Sequence, residues 1–298
     1  MSNSKKKKES RRKAERRAKR KKSIAILVGG AACLVLVFAA AWVIFYNIGF
    51  SIRSHQDYSV GLNEDGTITG IAASNFVKLC DLDAMTFSEK ELVPSDEDFD
   101  NYLVAFMAQF GLTPEDFDDA FVEEYYSSLA TSAEDFKEQY KEEQKQSNLD
   151  TAILNYLGDH CTIDTYPEAY VQGLMGLLKG VDENQYEMMN RSAESSSGKK
   201  VYSSFREYTG YDNKEYYASL RWKAEQNATV ALILQAIMEQ EKIEVNEEHY
   251  SRVLSSYGIA EEYASTLEDA YGRGFLHQAA IRFAVMDYLK EKAVIEKE

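Results

Sequence analysis

Hydrophobic residues recur at intervals of three and four from residue 95 onward, the spacing of one buried face of an α-helix. Phe99, Leu103, Phe106, Met107 and Phe110 form the first such run. The same pattern predicts further helices from Thr113, from near Ser132, from Pro167, and over 213–243, 247–257, 261–271 and 275–292. All three prolines fall at the edges of these helices, where proline is tolerated. The pattern therefore predicts an all-α body over residues 95–298.

The chain before residue 95 has a different pattern. Residues 58–71 alternate weakly around Asp65-Gly66, and Asp-Gly between short apolar runs predicts a hairpin. Residues 76–93 are mixed, which favours short extended segments. Farther along, the serine-rich polar run 192–200 predicts an exposed loop that interrupts the helices.

One apolar stretch is long enough to cross a bilayer. Residues 24–46 form 23 uncharged positions, and about 20 helical residues span the hydrocarbon core. Lys and Arg crowd the residues before it, which predicts a cytoplasmic N-terminus and an extracytoplasmic C-terminal part. We therefore expect an all-α fold with one N-terminal transmembrane helix, then a short extended or hairpin segment, then an elongated multi-helix body. The expected segments are a basic tail (1–23), the membrane helix (24–46), a juxtamembrane segment (47–94) and a helical domain (95–298).

The N-terminal sequence is compatible with two other arrangements. Ala39-Ala40-Ala41 offers a signal-peptide cleavage site, but the apolar run continues past it and exceeds the usual length of a signal core. Cys33 could carry a lipid, but apolar residues follow it where a lipoprotein turns polar. A retained anchor explains the pattern best, with the basic tail attracted to anionic membrane lipid.

The charge of the chain is divided very unevenly. Residues 1–23 hold 13 basic and two acidic residues, a net charge of +11, within a chain of net charge −15. The remaining residues therefore carry −26. A surface this acidic repels phosphate backbones, so nucleic acid is not an expected partner.

No motif of a known reaction or metal site occurs in the chain. His55, His160, His249 and His277 lack metal-ligand spacing, and no nucleophile elbow, phosphate loop or dinucleotide fingerprint is present. The acidic runs lack the glycine-bearing loop of a calcium site and fall at helix starts. We expect no catalytic residue, metal or cofactor. The sequence leaves open whether Cys80 and Cys161 form a disulfide.

Aromatic residues are abundant and several are adjacent. The chain has 20 Tyr and 14 Phe, including the pairs Tyr125-Tyr126 and Tyr216-Tyr217. Neighbours on a helix point about 100° apart, so one face cannot bury both members of a pair. Either the helices bury aromatic residues on several sides, or some of these residues form an open apolar surface for unfolded chains.

The later part of the chain resembles the C-terminal domain of the bacterial chaperone trigger factor. Segments that carry the resemblance are 117–122 (FDDAFV), 132–137 (SAEDFK), 166–168 (YPE), 209–210 (TG), 224–225 (AE), 232–237 (LILQAI), 243–248 (IEVNEE), 271–276 (YGRGFL) and 285–289 (VMDYL). Weaker similarity begins at residues 76–79 and 93–98. The resemblance covers roughly residues 76–296, is best over 205–296, and implies a helical cradle that binds unfolded chains.

The departures from that family shape the expected function. The family's prolyl isomerase domain would lie between Gln109 and Leu112, and the ribosome-docking domain is replaced by the basic tail and the anchor. The resemblance therefore implies a membrane-anchored extracytoplasmic holdase or foldase for unfolded or nascent exported polypeptides, without enzyme activity or ribosome docking. Its client-binding residues are expected to include Phe106, Phe110, Tyr125, Tyr126, Tyr170 and Tyr217. An envelope scaffold that binds one folded partner and a residual prolyl isomerase are the alternatives.

Overall fold

The computed structural model describes residues 58–297. The predicted basic tail, the predicted membrane helix at 24–46 and residues 47–57 lie outside the described residues. The helices are α1 (Glu89–Leu92), α2 (Asp96–Ala108), α3 (Asp119–Tyr126), α4 (Ala133–His160), α5 (Glu168–Ser197), α6 (Phe205–Thr209), α7 (Asn213–Glu241), α8 (Glu247–Ser256), α9 (Ala264–Tyr271) and α10 (Arg273–Lys292). The strands are β1 (Val77–Lys78), β2 (Thr86–Ser88), β3 (Thr162–Ile163) and β4 (Val294–Glu296), and short 3-10 helices occupy Ala73–Asn75, Leu82–Ala84, Pro114–Asp116 and Glu261–Tyr263.

The predicted fold class, all-α with one transmembrane helix, is wrong for the part of the chain that the structure describes. That part is mostly helical, but β1 pairs antiparallel with β3 and β2 pairs parallel with β4. Within residues 58–297, no helix is both long and apolar enough to cross a membrane. The long helices α4 and α5, of 28 and 30 residues, carry charged side chains, so each buries only one face.

Contacts between residues divide the described chain into two units. Unit 1 comprises 58–78 and 161–285, and unit 2 comprises 79–160 and 286–297. Both units are discontinuous in sequence, since each combines an early segment with a late one.

The helices α5 and α7 form the centre of unit 1. The α7 helix is buried on one side over 216–228 and on all sides over 232–237. Polar contacts of its first half hold α5 against it. Arg221 donates two hydrogen bonds of 2.9 Å to the carboxylate of Glu168. The Tyr216 hydroxyl donates to Asp182 over 2.9 Å. These contacts set the register of two helices whose apolar faces alone would permit sliding.

Residues 58–78, here called the strap, lie across α7 and the first part of α10. Where the sequence predicts a hairpin, the structure has a tight turn with one isolated antiparallel bridge, Leu62 to Ile68. Two polar side chains of α7 hold the strap by its backbone. The side chain of Gln235 accepts from the Ile68 N–H at 2.8 Å, and Glu239 accepts from the Ala73 N–H at 3.0 Å. Gln235 is only 3% exposed, so this hydrogen bond is formed inside the core.

The serine-rich segment differs from its predicted form. The prediction of a loop over 192–200 is wrong for residues 192–197, because α5 continues to Ser197 and ends at Gly198 in the left-handed conformation. The buried Asn190 side chain explains how the following chain is held. It donates to the Tyr202 carbonyl at 3.0 Å and accepts from the Tyr202 N–H at 2.9 Å. We call this pair of hydrogen bonds the amide clip. It holds the segment between α5 and α6 against α5.

The helices α8, α9 and the first part of α10 enclose a smaller core in unit 1. Its buried members are Tyr250, Val253, Leu254, Leu267, Tyr271, Leu276 and Ala280. Tyr58 of the strap packs against this core, with its ring 5.4 Å from that of Tyr271. The strap therefore joins two parts of the same unit.

Unit 2 contains α1 to α4 and the pair β2–β4. The α2 helix begins as predicted, because Ser95 and Asp98 form a reciprocal capping box. Lys137 and Lys141 of α4 both pair with Asp96. Those two ammonium groups lower the pKa of the Asp96 carboxyl to about 2. The apolar side of α2 faces α3 and α4 through aromatic side chains.

Candidate functional site

An aromatic cluster forms the interior of unit 2, and Phe106 lies at its centre. In the described residues, six other aromatic rings have centroids 5.2–6.4 Å from that of Phe106. Most of the pairs are tilted or edge-to-face, the arrangements that aromatic quadrupoles favour. Phe106 is 9% exposed and therefore belongs to the core.

The outer border of this cluster is open to solvent. Phe110 follows the last turn of α2 and Tyr125 lies near the end of α3, and their rings are 5.4 Å apart. They are 40% and 51% exposed, while both contact the buried ring of Phe121. We call Phe110 and Tyr125 the aromatic edge. Because the buried Phe121 packs against both rings, they are held in position although they are exposed to solvent.

Carboxylates surround the aromatic edge in the sequence. Residues 112–129 contain six acidic residues and no Lys, Arg or His. Asp116 and Asp118 cap helix starts, whereas Glu124 accepts a hydrogen bond from the Tyr125 hydroxyl and thereby raises the pKa of Tyr125. The aromatic edge therefore adjoins an acidic stretch of sequence, here called the acidic border, in which Glu124 contacts Tyr125.

The remaining predicted site residues lie apart from the aromatic edge or beneath it. Tyr126 is half-buried in the aromatic cluster. Tyr170 and Tyr217 belong to unit 1, where Tyr170 is 3% exposed and Tyr217 is 51% exposed. Burial raises the pKa of Tyr170 to about 12, so this hydroxyl stays protonated. The client-binding role of all six residues remains a prediction.

Several exposed apolar residues are not among the client-binding residues predicted from the sequence. Leu112 and Leu129 follow α2 and α3, and Trp222 lies on α7, all of them well exposed. Each is a single apolar residue in a polar context, which no periodic pattern distinguishes from an ordinary surface position.

An apolar cleft lies within unit 1, between the strap and the helices α5, α7 and α10. It encloses about 140 Å³. Its lining consists of Tyr58, Val60, Leu62, Tyr170, Leu174, Leu177, Leu178, Val181, Asn227, Val230, Ala231, Leu234, Phe275, Gln278, Ala279 and Arg282. Close backbone packing shapes one side of it, since Gly173 of α5 lies against Val60 of the strap. No local sequence pattern predicts this cleft, because its walls come from four separate segments.

The aromatic edge and the lining of the apolar cleft consist mostly of aromatic and aliphatic side chains. Within residues 58–297, no group of three or more His, Cys, Asp or Glu is placed to hold a metal ion. The aromatic edge and the apolar cleft are built for contact with apolar groups, which is the chemistry of binding.

Comparison with known proteins agrees with this reading. The family model of the bacterial trigger factor C-terminus matches residues 122–297, more than half of the chain. No curated protein and no solved structure matched the chain significantly. The matched region includes α4 to α10 and Tyr125 of the aromatic edge. The chain therefore belongs to the family of the bacterial trigger factor C-terminus, a family of chaperone type that binds unfolded polypeptides.

Proposed function

We propose that this protein is a holdase or foldase that binds unfolded exported polypeptides at the outer face of a cell membrane. The observation that carries the binding role is the aromatic edge, where Phe110 and Tyr125 stay exposed on a packed aromatic support. An apolar segment of a client that covers this edge removes both rings from water. Each such contact is weak, so several together delay aggregation and still permit release.

The acidic border adds a preference among clients. Six carboxylates and no cation accompany the aromatic edge over residues 112–129. Lys or Arg beside an apolar client residue would be attracted, and acidic segments would be repelled. The attraction acts between exposed charges and is therefore screened by salt.

The binding role is tested with the full-length chain in an aggregation assay on a chemically denatured, unrelated enzyme. Phe110→Ser combined with Tyr125→Ser should weaken protection while shifting the melting temperature little, because both residues are exposed. Tyr263→Ser is the control, since Tyr263 is also an exposed tyrosine but lies in unit 1. Full protection by the double variant would exclude the aromatic edge as the client surface.

Phe106, one of the buried members of the cluster, provides a second control. Phe106→Ala should destabilise the protein by about 3–5 kcal/mol, the usual cost of cutting a buried aromatic ring to Ala. A loss of protection in that variant would therefore accompany unfolding. Only variants that melt like the wild type report on the client surface.

The proposed location rests on the sequence of residues 1–46. The basic block followed by 23 uncharged apolar residues supports retention at the membrane with the remainder of the chain outside the cytoplasm. Protease added to intact protoplasts should then digest the region after Ser51. Complete protection of a C-terminal tag would contradict this location.

We further propose that the protein lacks prolyl isomerase activity, because the isomerase domain of the family has no counterpart between Gln109 and Leu112. Isomerisation of an X-Pro peptide should proceed at its uncatalysed rate, over tens to hundreds of seconds, in the presence of the protein. Acceleration in proportion to protein concentration would refute this.

The number of different proteins bound distinguishes a chaperone from a scaffold that binds one folded partner. A chaperone should protect several unrelated denatured enzymes through the same edge. Protection of none of them would reject the proposed function.

A further inference from the structure

We infer that the segment between α5 and α7 in unit 1 is a contact site for anionic membrane lipid. The site consists of the exposed residues Lys199, Lys200, Val201, Arg206 and Tyr211, here called the basic tip. This lipid contact is additional to client binding. It rests on the proposed location, because it needs a membrane beside the folded part of the chain.

The charge of this segment is opposite to that of the chain around it. Residues 195–206 contain three cations and no Asp or Glu, although the chain beyond residue 23 carries a net charge of −26. Of the two carboxylates that flank this run, Glu207 accepts hydrogen bonds from the backbone and the side chain of Ser203. The described ion pairs of α5 and α7 use Lys179 and Arg221 instead. The cations of the basic tip are therefore available to an external anion.

Two exposed apolar side chains accompany the cations. Val201 is 53% exposed and Tyr211 is 46% exposed. Val201 directly follows the two lysines, and Tyr211 precedes Asp212, the N-cap of α7. A membrane surface receives both kinds of group, because cations meet the headgroups while apolar and aromatic side chains enter the interface. A soluble anion would use only the cations.

Hydrogen bonds within unit 1 hold the basic tip in its conformation. The amide clip of Asn190 fixes both backbone groups of Tyr202, the residue after Val201. The Gly198 N–H donates to the Glu194 carbonyl at 2.9 Å, where α5 ends. The backbone is thus fixed on both sides of the two lysines, so little conformational entropy is lost when the tip binds.

The lengths of two segments allow the basic tip to reach the membrane that the chain is proposed to enter. Residues 47–57 separate the apolar stretch from the strap, and 11 residues span at most about 36–40 Å. Val60 of the strap lies against Gly173, and α5 continues from there to Ser197. That part of α5 is about 36 Å long at about 1.5 Å per residue. The reach of residues 47–57 therefore matches the distance along α5 from the strap to the tip.

The acidic surface elsewhere on the chain does not cancel this attraction. At physiological ionic strength, exposed charges more than about 8 Å apart are largely screened from one another. Each Lys or Arg close to an anionic membrane surface strengthens binding by a factor of about five. Loss of Lys199 and Lys200 together should therefore weaken the contact by about 25-fold.

The test locates the basic tip with a single tryptophan in the full-length chain, held in lipid nanodiscs. Trp42→Phe and Trp222→Phe remove the native tryptophans, and Tyr211→Trp places the reporter in the tip. The nanodiscs contain brominated phosphatidylcholine, alone or in equal parts with anionic phosphatidylglycerol, and the bromine quenches a tryptophan that touches the bilayer. A second reporter, Tyr263→Trp, replaces another exposed tyrosine of unit 1.

The Tyr211→Trp reporter should be quenched in the anionic nanodiscs only, and added salt should reduce the quenching. Lys199→Gln with Lys200→Gln should lower the ratio of quenched to unquenched reporter by about 25-fold. Lys242→Gln is the control and should leave the ratio unchanged, since Lys242 is an exposed cation at the opposite end of α7. The Tyr263→Trp reporter should stay unquenched.

Equal quenching in neutral and anionic nanodiscs, or quenching in neither, would overturn the lipid contact. An unchanged ratio in the double lysine variant would do the same, provided that it melts like the wild type, as exposed substitutions usually do. If that variant melts early, Arg206→Gln alone decides, with an expected loss of about fivefold. Complete release of the tip by soluble polyphosphate would assign the cations to a soluble anion, which also overturns the lipid contact.

These outcomes are distinguishable from failure of the proposed function. Normal protection from aggregation without quenching rejects the lipid contact and leaves the proposed client binding intact. A chain that does not co-purify with nanodiscs refutes the proposed location, and the lipid contact with it. Absence of all protection with normal quenching refutes client binding alone.

Discussion

Replacing Gly66 with Ala should strongly destabilise unit 1. Gly66 forms the tip of the strap turn at a φ of +84°, a left-handed conformation that costs an L-residue about 1–2 kcal/mol. A Cβ added there would also lie 2.3 Å from the backbone N of Gln278 in α10. Backbone cannot move aside as the end of a side chain can, and overpacking adds about 1–3 kcal/mol. We therefore expect Gly66→Ala to cost about 3–4 kcal/mol, close to the sum of the two effects.

Gly70→Ala is the matched control for this substitution. Gly70 has a φ of +72°, but a Cβ added there would meet no atom within 4 Å. It should cost only the conformational part, about 1–2 kcal/mol. The difference between the two variants thus isolates the contact between the strap and α10.

The measurement is the free energy of unfolding from urea denaturation, followed by circular dichroism of the helices. Gly274→Ala provides an independent check from the opposite side, since its Cβ would lie 2.5 Å from the Asn63 carbonyl oxygen of the strap. Equal losses for Gly66→Ala and Gly70→Ala would refute the close packing of the strap on α10. A small loss for Gly274→Ala would do the same.

Three further substitutions test other contacts of unit 1. Gln235→Leu should cost about 1–3 kcal/mol in urea denaturation, because it leaves the buried N–H of Ile68 without its acceptor; an unchanged midpoint would contradict the proposed hold on the strap. Asn190→Ala removes both bonds of the amide clip and should cost about 1–3 kcal/mol, with faster proteolysis near residue 200 as its specific signature. Burial and Arg273 lower the pKa of His277, so the folded state disfavours its charged form, and its stabilising contribution is lost as the pH falls below about 6.5. His277→Gln should therefore flatten the loss of stability between about pH 7.5 and pH 5, and a slope equal to that of the wild type would contradict this.

Local signals in the sequence located most helix starts correctly. Ser95 with Asp98 and Asn246 with His249 form capping boxes at the predicted starts of α2 and α8. Such signals act within a few residues, so they can be read without knowing the fold. The loop predicted for the serine-rich end of α5 is wrong because contacts with distant residues decide the structure there. Its composition favours a loop, but tertiary contacts of the helix, including the Asn190 clip, override that preference.

Features that depend on distant residues could not be predicted. The strands are two or three residues long, and Val77 pairs with Ile163 across more than 80 positions of sequence. Phe106 and Phe110 share one apolar face in the sequence pattern, yet α2 ends at Ala108, which leaves Phe106 buried and Phe110 exposed. The apolar cleft has no local signature at all, because the strap and three helices form it together.

The position of the strap makes the order of synthesis matter for this protein. The Ile68 N–H donates to a side chain that lies 167 residues later in the sequence. The Ser59 hydroxyl accepts a hydrogen bond from the Phe275 N–H, which lies 216 residues later. A chain that emerges N-terminus first therefore cannot complete unit 1 until nearly its last helix is available. A product that stops before α10 would lack a wall of the cleft as well as the partner of the strap turn. Such a fragment would itself resemble an unfolded client, so a finished copy of the protein could bind its own incomplete ones.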